Sequence, residues 1–239
     1  MNSDCEESPP LDRESFREPA PSPRWKRGLD ITLIWLALPA IIPLSLLIAG
    51  LIRLVSAGPA LFRQERVGYR GKTFVCFKFR TMHVNADAAI HQAHLDRLMK
   101  SGRAMVKMDS QGDARLIPLG LLLRCSGLDE IPQLLNVLRG DMRLVGPRPC
   151  LPFEAAKYLP WQHERFNALP GLTGLWQVSG KNNTTFDEMI RLDIDYSRSS
   201  SLWLDLRIIL MTVPALAVQM LETRRTRNSV RQPARATMV

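Results

Sequence analysis

Residues 128–149 read Leu-Asp-Glu-Ile-Pro-Gln-Leu-Leu-Asn-Val-Leu-Arg-Gly-Asp-Met-Arg-Leu-Val-Gly-Pro-Arg-Pro. Pro132 suits a first helical turn, where its missing N–H costs nothing, and Ile131, Leu134, Leu135 and Leu138 repeat at helical spacing until Gly140 stops the run. The pattern predicts a short helix with Asp129 and Glu130 at its N-terminus. Unpaired N–H groups and the helix dipole favour negative charge there, so a carboxylate stays ionised as a nucleophile or metal ligand and a phosphate is accepted nearby. Acids at helix starts are most often simple caps. What sets this pair apart is its neighbourhood, above all Arg148, fixed between Pro147 and Pro149.

Composition narrows the partners. The 239 residues fit one domain with appendages, and 46% hydrophobic residues suffice for a core. A net charge of +9 implies an anionic partner: nucleic acid, anionic lipid or a phosphorylated substrate. Cys5, Cys76, Cys125 and Cys150 form no Cys-x-x-Cys pair and have no histidines at ligand spacing, which argues against a zinc site or a disulfide framework and for a reducing compartment.

Residues 1–23, rich in Pro, Ser, Glu and Asp, have little to bury and are read as disordered. Residues 24–57 are read as a membrane anchor. Arg24, Lys26 and Arg27 precede an uncharged run from Ile31 to Ile52, which Arg53, Arg63 and Arg66 follow. The run is long enough to span a bilayer, where about 20 apolar residues are needed. Pro39 and Pro43 in its middle invite a bend, and positive charge at both ends gives no preferred direction across the membrane. A re-entrant helix satisfies both features; a kinked spanning helix is the alternative.

Residues 58–222 are read as the main folded domain: mixed α/β, mainly helical with short strands. Two strands are predicted around Gly68-Tyr69-Arg70-Gly71, the second running from Thr73 to Met82 with Lys78 and Arg80 on one side. That basic edge either protects the strand from aggregation or contacts phosphate. Helices are predicted over 86–101, started by Asn85, and over about 153–167. His91 and His94 lack a third ligand and are assigned no metal. Arg124 lies five residues before Asp129. Glycines in Pro170-Gly-Leu-Thr-Gly-Leu-Trp-Gln-Val-Ser-Gly180 imply tight turns or close approach to a ligand, and Gly180-Lys181 lacks the upstream glycine of a Walker loop. Thr185-x-x-Glu188 is a capping box, and Asp193 shares the apolar face of the helix it opens, so a cation or metal partner is expected. The last apolar segment, Leu202 to Leu221, carries Asp205, is expected to break at Pro214, and suits shallow docking among lipid headgroups. The arginine-rich residues 223–239 are read as a disordered arm on anionic lipid.

Seven blocks carry a resemblance: Lys26-Arg27-x-x-Asp30, Gln64-Glu-Arg-Val-Gly68, Lys78-Phe-Arg-Thr-Met82, Leu128-Asp-Glu-Ile-Pro-Gln-Leu134, Gly140-Asp-Met-Arg-Leu-Val-Gly-Pro-Arg-Pro149, Pro170-Gly-Leu-Thr-Gly-Leu-Trp-Gln177 and Ser201-Leu-Trp-Leu-Asp205. In this order they resemble the bacterial sugar transferases, the small monotopic phosphoglycosyl transferases that start exopolysaccharide and glycan assembly. The resemblance implies transfer of a sugar phosphate from a UDP-sugar to undecaprenyl phosphate, with release of UMP, at the cytoplasmic face of the inner membrane. It implies Asp129 as nucleophile, Glu130 as base or magnesium partner, and magnesium as cofactor held by the pair. On it, Lys78, Arg80, Arg124, Arg148 and Lys181 are candidate phosphate or substrate contacts, with Asp193 and Asp205 as acidic partners. The chain departs from the family pattern in Ile42-Pro43 where Ser-Pro is common, in Lys181 for an arginine, and in Ala114, Arg143 and Cys150. Rival readings are a glycosyltransferase that releases UDP, a non-catalytic polybasic membrane adaptor and, with least support, a nucleic-acid binder. The sugar and the oligomeric state are not legible.

Overall fold

The computed structural model describes residues 23–84, 86, 88–102, 104, 113–180 and 184–231. Asn85, Lys181 and the segment read as disordered, Pro23 excepted, lie outside them. Helix α1 (Arg24–Val55) runs unbroken through Pro39 and Pro43, so the carbonyls of Trp35 and Pro39 lose their helical donors. A hairpin follows, β1 (Leu61–Val67) paired antiparallel with β2 (Thr73–Phe79). The expected second strand is shorter than predicted, since Met82 makes only an isolated bridge to Leu116. Helix α2 (Ala88–Ser101) packs on the hydrophobic core, and α3 (Gly120–Ser126) leads into a 3-10 turn over Leu128–Gln133 and then α4 (Leu134–Arg139).

The C-terminal half is built around a parallel pair, β3 (Arg143–Val145) and β4 (Gly171–Thr173). A Cβ on Gly171 would lie 2.0 Å from the Gly146 nitrogen. These glycines thus let two strands approach each other, a use beside the tight turns or ligand approach expected of them. The helix expected over about 153–167 is instead two pieces, α5 (Pro152–Ala155) and a 3-10 segment over Pro160–Asn167. Pro160 forces its predecessor out of helical geometry, and Leu159 is extended. Helix α6 (Leu175–Val178) is short; α7 (Phe186–Ser199) opens with the expected capping box, Thr185 accepting from the Glu188 N–H. Helix α8 (Leu202–Arg231) passes through Pro214 without a break and continues into the segment expected to be a disordered arm. The break fails because proline removes a single hydrogen bond, while the apolar residues on either side keep helical spacing.

Both ends of α1 belong to the globular unit. Ile34 packs against Val137 and Met142, and Ile48 and Ile52 pack against Phe79, Ile117 and Leu123. Between them residues 35–47 leave Trp35, Leu36, Ile42, Leu46 and Leu47 exposed. On α8, Trp203, Leu210 and Val213 are also bare. Both helices are long and apolar enough to cross a membrane.

Candidate active site

Gly127 turns the chain out of α3 in a left-handed conformation, φ 73°, with Leu216 of α8 against the place a Cβ would occupy. The Glu130 N–H then donates to the Gly127 carbonyl at 3.0 Å. The acid pair therefore stands in a 3-10 turn between two α-helices, and the expected α-helix begins only at Leu134. Pro132 sits inside that turn, where its lack of an N–H is tolerated as it would be in a first helical turn. Asp129 is buried and Glu130 half-buried. From β2, Lys78 reaches across to Glu130, Nζ to Oε1 2.8 Å. With a quarter to a third of each side chain exposed, such a pair is worth at most about 1 kcal/mol. Lys78 is thus held at the Glu130 carboxylate by a weak contact.

A second cluster fixes the Pro-Arg-Pro segment. The Arg148 N–H donates to Asp193 at 3.3 Å, while Arg165 donates to the Arg148 carbonyl at 2.7 Å and is itself ion-paired with Asp193. Arg66 adds a bond to the Pro149 carbonyl at 3.1 Å. Both backbone groups of Arg148 are therefore gripped by one buried pair. Its guanidinium rests on Glu154, Nη1 to Oε2 3.0 Å, and keeps a fifth of the side chain exposed. Burial works against the Glu154 charge, but Arg148, Arg66 and Arg165 outweigh it and hold the carboxyl below the usual 4.5. The unfolded chain therefore takes up the proton first as pH falls, so this contribution to stability is complete above about pH 5 and is lost as pH drops through the lower folded pKa. Melting temperatures measured from pH 6 to pH 3 are expected to fall less steeply in Glu154→Gln than in wild type.

A family model for bacterial sugar transferases matches residues 22–219. The chain belongs to the bacterial sugar transferases. It is 37% identical over 193 residues to the exopolysaccharide production protein ExoY of Sinorhizobium fredii, covering 81% of this chain and 85% of that one. It is 44% identical over 199 residues to the UDP-glucose:undecaprenyl-phosphate glucose-1-phosphate transferase of Caulobacter vibrioides, covering 80% and 69%. A third relative, the galactosyl transferase CpsE of Streptococcus agalactiae, is 41% identical over 79% of this chain and 41% of its own length.

Three candidate contacts take other parts in this transferase. Arg80 is 5% exposed and donates to the carbonyls of Ser56 and Ala57 at 2.8 and 2.5 Å, so it closes the end of α1 rather than facing phosphate. Asp193 is sealed against Arg165 and positions Arg148 from behind; the cation expected for it is present. Asp205 pairs with Lys26 at 3.3 Å and lies 2.7 Å from the Tyr196 hydroxyl, to which Lys26 also donates. With Asp30 accepting from Arg143 and from the Leu144 N–H, this buried group ties α1, α7 and α8 to β3, away from any exposed surface.

Arg124 is half-buried in the last turn of α3, whose Arg124 and Cys125 carbonyls accept from Gln219 of α8 at 3.3 Å. After Arg115, which dominates, its charge helps keep the Asp113 carboxyl below the usual range. Among the described residues no group of three or more His, Cys, Asp or Glu side chains could hold a metal. Residues that the sequence did not single out support these side chains: Glu154, Arg165 and Tyr158 around Arg148, and Tyr196 beside Asp205. The uncompensated acid at 193 signalled a buried cation, but nothing in the spacing named Arg165.

Proposed function

We propose that the transferase moves a sugar-1-phosphate from a UDP-sugar to undecaprenyl phosphate, releasing UMP, through a covalent intermediate on Asp129. One observation carries this reading: Lys78 meets Glu130 beside a buried Asp129, on a unit that keeps two apolar helices uncovered. Relatives named as undecaprenyl-phosphate glucose and galactose phosphotransferases, at 37% and 38% identity, support the substrate class. In the first step an Asp129 oxygen bonds to the sugar-bearing phosphorus as the bond from that phosphorus to the UMP oxygen breaks. In the second, an oxygen of undecaprenyl phosphate attacks the same phosphorus and frees the carboxylate. Splitting the transfer gives each half a good leaving group. Lys78 moves from Glu130 to a phosphate oxygen as charge develops, and Arg148 offers its exposed edge to the donor.

Two adjacent carboxylates fit magnesium, which is bound by one or two carboxylates with substrate phosphates completing its shell. Asp129 and Glu130 would hold it, and when bound it neutralises diphosphate charge. Lys78→Met is expected to lower kcat/KM by about 10²–10³, the loss typical of one transition-state donor. Because the Lys78–Glu130 pair is weak, the melting temperature should move by less than about 4 °C.

The anchor enters and leaves on the same face. Between Leu38 and Ile48, which both pack on the globular unit, residues 39–47 give about 14 Å of helix at 1.5 Å per residue, whereas the hydrocarbon core is about 30 Å thick. The exposed leucines dip into the leaflet and hold the site at headgroup level on the cytoplasmic face of the inner membrane, where anionic lipid meets Arg24 and Arg53. Replacing Leu46 and Leu47 together by serine should lower the membrane-to-water partition by about 100-fold or more, from the burial energy of two leucines; vesicle flotation measures it.

Purified enzyme in detergent, given UDP-glucose or UDP-galactose with undecaprenyl phosphate, should release UMP. Release of UDP instead would establish a glycosyltransferase, and no nucleotide release from any UDP-sugar would leave a membrane adaptor.

A further inference from the structure

Among the described residues the hairpin β1–β2 is a two-stranded sheet, so no further strand there pairs with β2, whose outer N–H and C=O groups need partners. Part of that edge is closed by one side chain. Asn136, fully buried in α4, accepts from the Phe77 N–H through Oδ1 at 3.1 Å and donates through Nδ2 to the Val75 carbonyl at 2.7 Å. One acceptor and one donor, offered to alternate residues of the strand, are what a neighbouring strand would supply. The amide is steadied by the Asp141 carboxylate at 3.3 Å, and the Asn136 carbonyl gathers the N–H groups of Gly140, Asp141 and Met142.

The clamp lies one residue from Lys78 on the strand and six from Glu130 on the helical side. No other residue type reproduces it: a carboxylate lacks the donor, and a glutamine is one methylene too long for the same seat. We infer that Asn136 is a positioning residue for the reaction, setting the register between β2 and the turn over Leu128–Gln133 so that Lys78 stands opposite Glu130. The inference rests on the function proposed above, and it concerns orientation rather than contact with substrate.

Asn136→Asp tests it. The variant keeps the acceptor for Phe77 and, when ionised, sets a carboxylate against the Val75 carbonyl and Asp141. The other charges near this seat are the guanidiniums of Arg139 and Arg63, 4.8 and 5.9 Å from the Phe77 ring centroid, that of Arg27 from α1, which donates to the Val137 and Leu138 carbonyls, and Lys78, which is engaged by Glu130. Once protonated, the new carboxyl regains a donor, and burial favours that form. With UDP-glucose and UDP-galactose as donors, kcat at pH 8 should fall by about 10²-fold, the scale of an ångström of misplacement, while KM for the donor is retained. The ratio to wild type should recover as pH is lowered to 6. Thermal melting of the same samples reports the folded fraction, which a merely structural role would lower without separating kcat from KM.

A folded variant with wild-type kcat throughout, or a deficit that ignores pH, overturns the role. Should the variant not fold, hydrogen exchange on the wild type decides: a Phe77 amide as protected as those inside the β1–β2 ladder supports the clamp, and a fast one removes it. A wild type that turns over beside an equally active variant refutes this inference alone, whereas a wild type releasing no UMP refutes the parent reading and this role with it.

Discussion

Asp129→Asn is expected to slow UMP release by at least about 10⁴-fold, the loss seen when one member of a covalent catalytic unit is removed. The amide has the shape of the carboxylate and sits in the same buried seat, so packing against the turn survives. What it lacks is an ionised oxygen able to bond to phosphorus. The melting temperature and the membrane-bound fraction should stay near wild type, which separates loss of chemistry from loss of structure. Glu130→Gln should be milder, because Glu130 is half-buried and serves as partner to Lys78 rather than as nucleophile.

Arg165→Leu is expected to have the largest effect on stability. It strands Asp193, 1% exposed, as an uncompensated buried charge, and losing one partner of such a pair costs about 3–5 kcal/mol. For a chain of this size that corresponds to a fall in melting temperature of roughly 6–20 °C. The second change Asp193→Leu, made in the Arg165→Leu background, should recover much of the loss, since two apolar groups can replace a buried ion pair. Activity should not recover with it. The double variant still lacks the two bonds, from Arg165 to the Arg148 carbonyl and from the Arg148 N–H to Asp193, that hold Arg148 in place. A double variant both stable and fully active would show that the grip on Arg148 has no part in the reaction.

The local signals in the chain were good guides where one interaction dominates. The capping box at Thr185, the hairpin around Gly68 and the stop at Gly140 all depend on short-range chemistry, and all are present. Signals failed where a tertiary partner decides. Lys78 and Arg80 share one side of a period-two pattern, yet the strand ends at Phe79, and Arg80 swings to the end of α1. The glycines at 171 and 174 left tight turns and a ligand's approach open, and packing against a neighbouring strand demands the same missing Cβ. Asp205 was given its acidic role by the resemblance alone, and its partner Lys26 lies 179 residues away in sequence. Long-range pairing of this kind leaves no trace in spacing.

At the site, Lys78 and Glu130, both named from the sequence, are joined as an ion pair, with Asp129 buried in the same turn as Glu130. The supports do not announce themselves, because Glu154 and Arg165 lie in segments whose helical pattern was misjudged around Pro160. These supports make Arg148 a fixed element instead of a flexible surface arginine. Seats of this kind matter for catalysis because donors placed beforehand need no reorganisation as charge develops.

The central claim is that phosphorus passes through the Asp129 side chain. Wild-type enzyme incubated with UDP-sugar carrying a radiolabelled β-phosphate, without lipid acceptor, then quenched, digested and analysed by mass spectrometry, should yield one peptide spanning position 129 that carries the phosphosugar, and the label should leave when undecaprenyl phosphate is added. Product formation at full rate with no labelled peptide, or with the label on another side chain, would contradict the account.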